Sequence, residues 1–484
     1  MGNVLGSLKP ELLWNHFEEI CNRPHPSRHE GQVAEYILEF AKANNLESAV
    51  DDFGNIIVRK PATAGKENLK SVVLQGHLDM VPEKNNDVNH NFEKDPLKIK
   101  IDNGWVTAEG TTLGSDNGIG VAAALAVLEA TDIEHGPIEA LFTLDEETGL
   151  FGAQALKPGF VNSRIMLNMD SEEDGALYIG CAGGQSTHVK FTFENTPVKD
   201  SETTYKVTVK GLKGGHSGLD IDKGYGNAVK MISRVLWEAN KKFGISVNEI
   251  EGGSKHNAIP RESFAKITVK AASEFEALIS EFNNIIKAEY ASIEKNLEIV
   301  CEKVDSVTTV MDDATKEKLL NALYAAPHGV IRMHPDIPGL VQTSTNLATI
   351  HFEGNKIALI TSQRSSAESE KFDASNKVTC VFRLAGAETE YSDGYPGWNP
   401  NVNSDILTLM KNGIKELFGH DPEVKAIHAG LECGIIMEKY EGMDTISFGP
   451  TITGAHSPDE RVEIETVEKF WNLLLHTLKN IPSN

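Results

Sequence analysis

Five stretches of the chain end or open an apolar run with side chains able to bind a metal ion. His77-Leu78-Asp79 follows SVVLQG (71–76), and Gly114-Ser115-Asp116-Asn117 opens an apolar helical stretch. Asp145-Glu146-Glu147 closes IEALFTL (138–144), Asp170 follows RIMLNM (164–169), and Ala455-His456-Ser457 lies just beyond DTISFG (444–449). Singly, each has an ordinary structural explanation. A lone His is a core or surface residue, an Asp after a strand is a turn residue, and Asp116 stands where the N-cap of the next helix belongs. Together they are imidazoles and carboxylates, the nitrogen and oxygen ligands that zinc accepts. His77 and Asp79, two residues apart in extended backbone, project to one side. A carboxylate so placed can take the second imidazole N–H while the other nitrogen binds metal. Glu146 and Glu147 diverge, so one can hold metal while the other faces a reacting water as general base. Two histidines and three carboxylates hold two ions at roughly 3.5–4 Å, the separation of two-metal hydrolytic sites, only if one carboxylate bridges.

Such residues need a scaffold that carries them to one rim. The four apolar runs read as strands. Helical spacing over about 10–48, and in 117–130 and 406–419, surrounds them. Strands alternating with helices imply an α/β domain with a mostly parallel sheet, in which ligands gather beyond the carboxyl ends of the strands. Between 186 and 397 the texture changes. YKVTVKG (205–211), FAKITVKA (264–271), KIALITS (356–362) and KVTCVFRL (377–384) read as alternating strands, and 227–243 and 274–293 as long amphipathic helices. This is expected to be an inserted α+β domain. EYSDGYPGWNPN (390–401), rich in turn formers, marks the return. The expected division is a discontinuous catalytic domain, 1–185 with 398–484, around an inserted domain, 186–397.

Other chemistries fit less well. Gly118-Ile119-Gly120-Val121-Ala122-Ala123 matches a dinucleotide fingerprint, but Asp116 stands where the pyrophosphate would approach. The sequence has neither a GxSxG elbow nor an HExxH helix. The net charge of −24 disfavours nucleic acid and anionic membrane surfaces. Five scattered cysteines with no CxxC pair suit a reducing compartment. The N-terminus has no basic-then-apolar signal pattern, Gly6 replaces the Ser or Thr of a myristoylation motif, and no apolar run is long enough to span a membrane. A cytoplasmic protein is expected.

GHLDM (76–80), GSDNG (114–118), LDEETGLFGA (144–153), LNMDSEEDG (167–175), GGHSG (214–218) and GAHSPDE (454–460) resemble, in order, the di-zinc amidohydrolase superfamily of carboxypeptidase G2, tripeptidase T and carnosinases. DNG, where many relatives have DDK, together with GLVQTSTN (339–346), SQRSS (362–366) and HAGLECG (428–434), is similar to the bacterial aminoacyl-histidine dipeptidase branch, the Xaa-His or peptidase D type that cleaves carnosine-like dipeptides. The resemblance implies a zinc-peptidase-like catalytic domain, two Zn2+ per chain (with Co2+ or Mn2+ as substitutes) and a lid that forms a homodimer. It makes Asp116 the bridging ligand, with His77 and Asp170 on one zinc and Glu147 and His456 on the other. Glu146 becomes the general base and Asp79 the orienting partner of His77. The resemblance also implies that His216 donates to a substrate carbonyl, that Asn257 and Arg364 bind substrate, and that the peptide between Asp116 and Asn117 is cis. Arg364 has the rival reading of a surface ion pair. The segment of His428 and Glu432 is expected to line the pocket without binding metal.

Overall fold

The computed structural model describes residues 4–199 and 201–484. The chain divides into two compact units, one of Met1–Gly180, Trp398–Ala426 and Leu431–Asn484, the other of Cys181–Gly397 and Ile427–Gly430.

An eight-stranded sheet runs through the first unit in the order Glu47–Val50, Ile56–Lys60, Ile138–Thr143, Val72–His77, Ile165–Asn168, Asp444–Ser447, Ala176–Cys181, Glu423–Ile427. The four strands read from the sequence are its four central ones, paired in parallel through Val72↔Ile138, Val72↔Ile165 and Ile165↔Asp444. Beyond this centre, Ile56–Lys60 joins Ile138–Thr143 antiparallel, and Ser447 pairs antiparallel with Tyr178. The centre reads as near-continuous Val, Ile, Leu and Phe because it is covered on both faces: Val72–His77 and Ile138–Thr143 are buried at every position.

The helix Ser115–Glu129 packs between Val72–His77 and the N-terminal helix Glu11–Cys21. It is buried on all sides from Asn117 to Leu128, which explains why its sequence is apolar without a polar face. Gly76 lets this contact form, since a Cβ there would lie 2.3 Å from Asn117 Oδ1. A four-stranded sheet, Ile452–Thr453, Arg461–Glu463, Trp105–Ala108, Ile99–Asp102, holds both ends of the segment that carries His456.

The second unit is built on a sheet in the order Glu298–Lys303, Thr203–Lys210, Ser263–Val269, Ser246–Gly252, Val341–Glu353, Lys356–Ser365, Gly183–Thr192, Glu388–Tyr391. Neighbouring strands run antiparallel, as in Lys356–Ser365 beside Gly183–Thr192. The helices Ala228–Phe243, Ala272–Glu289, Asp313–Ala325 and Glu368–Leu384 contribute buried side chains to its core.

One expected strand is absent. KVTCVFRL (377–384) is the last half of the helix Glu368–Leu384. The apparent alternation of Val378, Cys380 and Phe382 is coincidental. The buried positions are Lys371, Ala374, Ser375, Val378, Thr379 and Phe382, a helical stripe, and Cys380 is exposed. Packing of that stripe overrides the β-branched preference of the segment.

In the native protein Cys380 should therefore react promptly with a thiol reagent, while buried Cys21, Cys181 and Cys433 should wait for denaturant. Phe382→Ala should destabilise the second unit by about 3–5 kcal/mol, as expected for a fully buried aromatic, and Cys380→Ala by less than about 0.5 kcal/mol. A protected Cys380 would contradict the helical assignment.

Candidate active site

Because the central strands are parallel, the residues after their carboxyl ends meet at one rim. His77 ends its strand; Asp79, Glu146, Glu147 and Asp170 follow theirs within a few residues. His77, Asp116 and Asp170 place one ligand atom each within 4.8 Å of one another, and so do Asp116, Glu147 and His456. Asp116 is common to both groups. Its Oδ1 is 3.2 Å from His77 Nε2, and its Oδ2 is 3.2 Å from His456 Nε2. His77 Nε2 is also 3.3 Å from Asp170 Oδ1, and His456 Nε2 is 3.1 Å from Glu147 Oε1. Glu146 groups with His77 and Glu147 at the same centre.

The backbone that delivers Asp116 is unusual. Gly114 adopts φ 69°, and a Cβ there would press on Met80 Sδ at 3.0 Å and His25 Nε2 at 3.2 Å. Asp116 and Asn117 then depart from helical geometry, at φ −84°, ψ 106° and φ −108°, ψ 26°. The peptide between them is cis, as the resemblance implies. Asn117 Nδ2 donates to Met169 O at 2.6 Å, tying this turn to the strand end that carries Asp170. His456 sits at φ 61°, a left-handed conformation that a non-glycine residue keeps only where its surroundings enforce it.

Asp79 faces His77 and also holds the neighbouring turn. His77 Nδ1 is nearer to the main-chain oxygen of Asp79, 3.0 Å, than to its carboxylate, 3.4 Å. Either acceptor fixes the ring with Nε2 toward Asp116 and Asp170. The Asp79 carboxylate accepts the Glu146 N–H at 2.9 Å, the Glu147 N–H at 3.1 Å and the Ser27 hydroxyl at 2.8 Å. It thereby holds the turn that splits the two glutamates. Burial opposes its charge, yet His77 and these donors bring its pKa down to about 2.

Charge in this rim is unbalanced. Burial, with Asp116 and Glu432, pushes Asp170 up to about 7 against the pull of His77. Loss of solvent pushes Glu146 well above the usual carboxylate range; His77 opposes this, and Asp170, Glu147 and Glu432 add to it. Burial would lower the His77 imidazole, but Asp170, Asp116 and Asp79 raise it well above its ordinary value. The crowded acids share imidazolium protons, which a cation held among the same ligand atoms would displace. Two further observations fit metal ions. Buried Glu147 Oε1 makes no hydrogen bond of proper geometry, although His456 Nε2 stands 3.1 Å away. The donors are nitrogen and oxygen with no thiolate, a set suited to zinc and its divalent neighbours.

The second unit gathers a separate polar group. His216 Nδ1 accepts N–H bonds from Gly218 at 3.2 Å and Leu219 at 3.1 Å, so the ring proton resides on Nε2. Burial and the Arg364 guanidinium lower its pKa to about 4, against a weaker pull from Asp220. Arg364 is 7% exposed; it donates from Nη1 to Tyr395 OH at 2.9 Å and from Nε to Ser217 Oγ at 3.4 Å. Among the described residues it has no carboxylate within ion-pair distance, which removes the surface ion-pair reading. Asn257 supplies its carbonyl to the Ser217 N–H at 2.9 Å, beside the short pairing of His216 with Ala258. His428 lies nearby, bonded through Nε2 to Ser344 Oγ at 2.7 Å and lowered to about 3 by burial, Arg364 and His216.

A model of the peptidase family M20/M25/M40 matches residues 73–480. The chain belongs to this family. It is 44% identical over 481 residues, 99% of each chain, to the cytosol non-specific dipeptidase of Escherichia coli (strain K12). The crystal structure of the aminoacylhistidine dipeptidase from Vibrio alginolyticus covers 99% of this chain and 98% of its own, with a TM-score of 0.92 and 43% identity. A tripeptidase from Staphylococcus aureus shares the fold, with a TM-score of 0.57 at 16% identity over 98% of this chain and 99% of that one. As an M20 peptidase the protein is a hydrolase of the metallopeptidase type.

Sequence reasoning passed over Tyr395 and Glu460, and it read Glu432 only as part of a pocket-lining segment. Tyr395, in the turn-rich GYPG, carries the guanidinium of Arg364. Glu432 is wholly buried and takes bonds from Gln75 Nε2 at 2.6 Å and Thr143 Oγ1 at 2.7 Å, beneath the strand that ends in His77. Glu460, in GAHSPDE, bonds to the turn that carries Asp116. Nothing local marks these partners, since each contact joins residues far apart in the chain.

The tautomer and charge of His216 are directly measurable. By NMR its imidazole should titrate near 4 and be neutral, protonated on Nε2, at pH 7; Arg364→Gln should move the midpoint up toward the ordinary value of about 6.5. A wild-type midpoint above 6 would contradict the site electrostatics.

Proposed function

We propose that the chain hydrolyses the amide bond of free dipeptides, Xaa-His dipeptides such as carnosine among them, using two zinc ions shared through Asp116. The chain is a dipeptidase of the M20 metallopeptidase family; the histidine preference and the residue roles are our reading. The observation that carries it is the division of the two Asp116 oxygens between His77 and His456, with Glu146 at the same centre.

In this reading His77 and Asp170 would hold one ion and Glu147 and His456 the other, with Asp116 common to both groups. Zn2+ fits the donor set, with Co2+ or Mn2+ as substitutes. When bound, the ions polarise the scissile carbonyl and make a water acidic enough to attack near neutral pH. Glu146 accepts the proton of that water and delivers it to the leaving amine. Its raised affinity for a proton suits both halves of the transfer. Asp79 holds Glu146 and Glu147 apart through their backbone N–H groups. His216 offers Nε2–H to the oxygen of the substrate carbonyl, where charge builds in the transition state. Asn257 contacts the substrate backbone. Arg364, a buried guanidinium with no carboxylate partner among the described residues, takes the terminal carboxylate, for which its planar fork is well shaped. No covalent enzyme intermediate is needed.

The relative from Vibrio alginolyticus is named for aminoacylhistidine substrates, and the one from Escherichia coli for non-specific cleavage in the cytosol. We place this chain in the cytoplasm, as a homodimer through the inserted domain acting as lid. Among the described residues no helix is long and apolar enough to cross a membrane.

Glu146→Gln should keep both metals and lose turnover by about 10²–10⁴-fold, the usual size of a general-base contribution. Glu147→Gln should lose metal first. Full metal content with substantial activity in both variants would refute the division of labour. Free dipeptides should be cleaved much faster than their C-terminal amides, and Arg364→Ala should shrink that gap by lowering kcat/KM for the free acids. Equal wild-type rates on acids and amides would remove Arg364 from the carboxylate role.

A further inference from the structure

Glu460 is 2% exposed, and its carboxylate is surrounded by donors from the turn that presents Asp116. Oε2 accepts the N–H groups of Leu113 at 2.7 Å and Gly114 at 3.0 Å. Oε1 accepts the N–H of Ser115 at 2.8 Å, its hydroxyl at 2.6 Å and the N–H of Asp116 at 3.3 Å. A helix leaves its first N–H groups without intrahelical partners. Here a carboxylate from the far end of the chain supplies them, and no local side chain caps the helix.

The same residue closes the turn of His456. Ser457 N–H donates to Gly454 O at 3.1 Å, and Glu460 N–H donates to Ser457 O at 3.1 Å. The Ser457 hydroxyl adds a 2.7 Å bond to Gly454 O. The main-chain oxygen of Glu460 receives the Thr107 hydroxyl at 3.0 Å, anchoring the turn to the small sheet. Glu460 thus joins the two loops whose tips bring Asp116 Oδ2 and His456 Nε2 to 3.2 Å.

We propose that Glu460 is a positioning residue that selectively sets the affinity of the metal position formed by Asp116, Glu147 and His456. The inference rests on the reading of Asp116 as the shared ligand. Selectivity follows from what holds each partner. His77 and Asp170 extend from central strands fixed by the sheet ladder, whereas His456 rides on an exposed turn, with its side chain 54% exposed. Releasing the link between the turns leaves Asp116 tied to the first pair through the Asn117 amide on Met169 O and lets the turn of His456 drift away from it. A carboxylate is required because every group facing it donates; an amide would turn its own NH2 toward N–H groups.

The test is a zinc titration of the metal-stripped, full-length chain against a competing chelator. Glu460→Gln should bind one ion with wild-type affinity and the other about 10–100-fold more weakly, the usual effect of removing a partner that orients a ligand. Dipeptide turnover should fall at limiting zinc and recover with excess zinc, which a misfolded variant would not do. Two wild-type affinities, or equal weakening of both, would overturn the proposal. If Glu460→Gln fails to fold, Ser115→Ala, which deletes only the 2.6 Å hydroxyl bond, decides. It should weaken the same single ion about 10-fold, and unchanged binding overturns the proposal. Asp116→Ala separates the two levels. If it keeps both ions, the shared-ligand reading fails; if it loses them while Glu460→Gln binds normally, only the present inference fails.

Discussion

The two oxygens of the Asp116 carboxylate face two imidazoles, at 3.2 Å on each side, and this arrangement governs how the first unit is built. One carboxylate can serve two centres only if its backbone holds it end-on between them. A regular helical turn at 115–117 would not do so, and the turn is not regular. It is held from three directions: by the left-handed Gly114, by the Asn117 amide on Met169, and by Glu460 on the preceding N–H groups. The parallel strands supply the opposite wall, because their carboxyl ends place His77, Glu146, Glu147 and Asp170 within reach.

Electrostatics explains why so much of the fold is devoted to this rim. Carboxylates crowded where water is scarce repel one another strongly at low dielectric. Asp170, raised to about 7, and Glu147, raised by burial against the pull of His456, show the repulsion that remains when only protons are present to relieve it. The second unit carries the opposite imbalance: a buried guanidinium with no carboxylate among the described residues, next to histidines held neutral at about 4 and about 3. One rim is short of cations and the other group is short of an anion.

Much of this was legible in the sequence because local signals carry it. SVVLQG, IEALFTL, RIMLNM and DTISFG are continuous apolar runs of strand length, and they form the parallel centre of the sheet. The ligand-type residues followed from them, since a parallel sheet converts strand ends into neighbours. KVTCVFRL misled because eight residues can satisfy both a two-fold and a 3.6-fold pattern. Only burial of Thr379 and exposure of Cys380 separates the two. Edge strands such as Glu47–Val50, mostly exposed, have no apolar run to announce them, and this one overlaps the end of the range read as helical. The roles of Glu460, Glu432 and Tyr395 depend on partners far away in the chain, and no periodicity records those. Spacing and resemblance both set Asp79 beside His77, but neither could show its bonds to Ser27 and to the backbone of Glu146, 67 residues away.

The most direct test of the shared carboxylate is a crystal structure of the zinc-loaded chain with anomalous data collected at the zinc edge. Two peaks should flank Asp116, roughly 3.5–4 Å apart, one against Oδ1 with His77 and Asp170, the other against Oδ2 with Glu147 and His456. The neighbouring acidic group of Glu30, Asp79 and Asp145 lies close enough to compete and serves as an internal control. A single peak, or zinc among Glu30, Asp79 and Asp145 with Asp116 bare, would contradict the account.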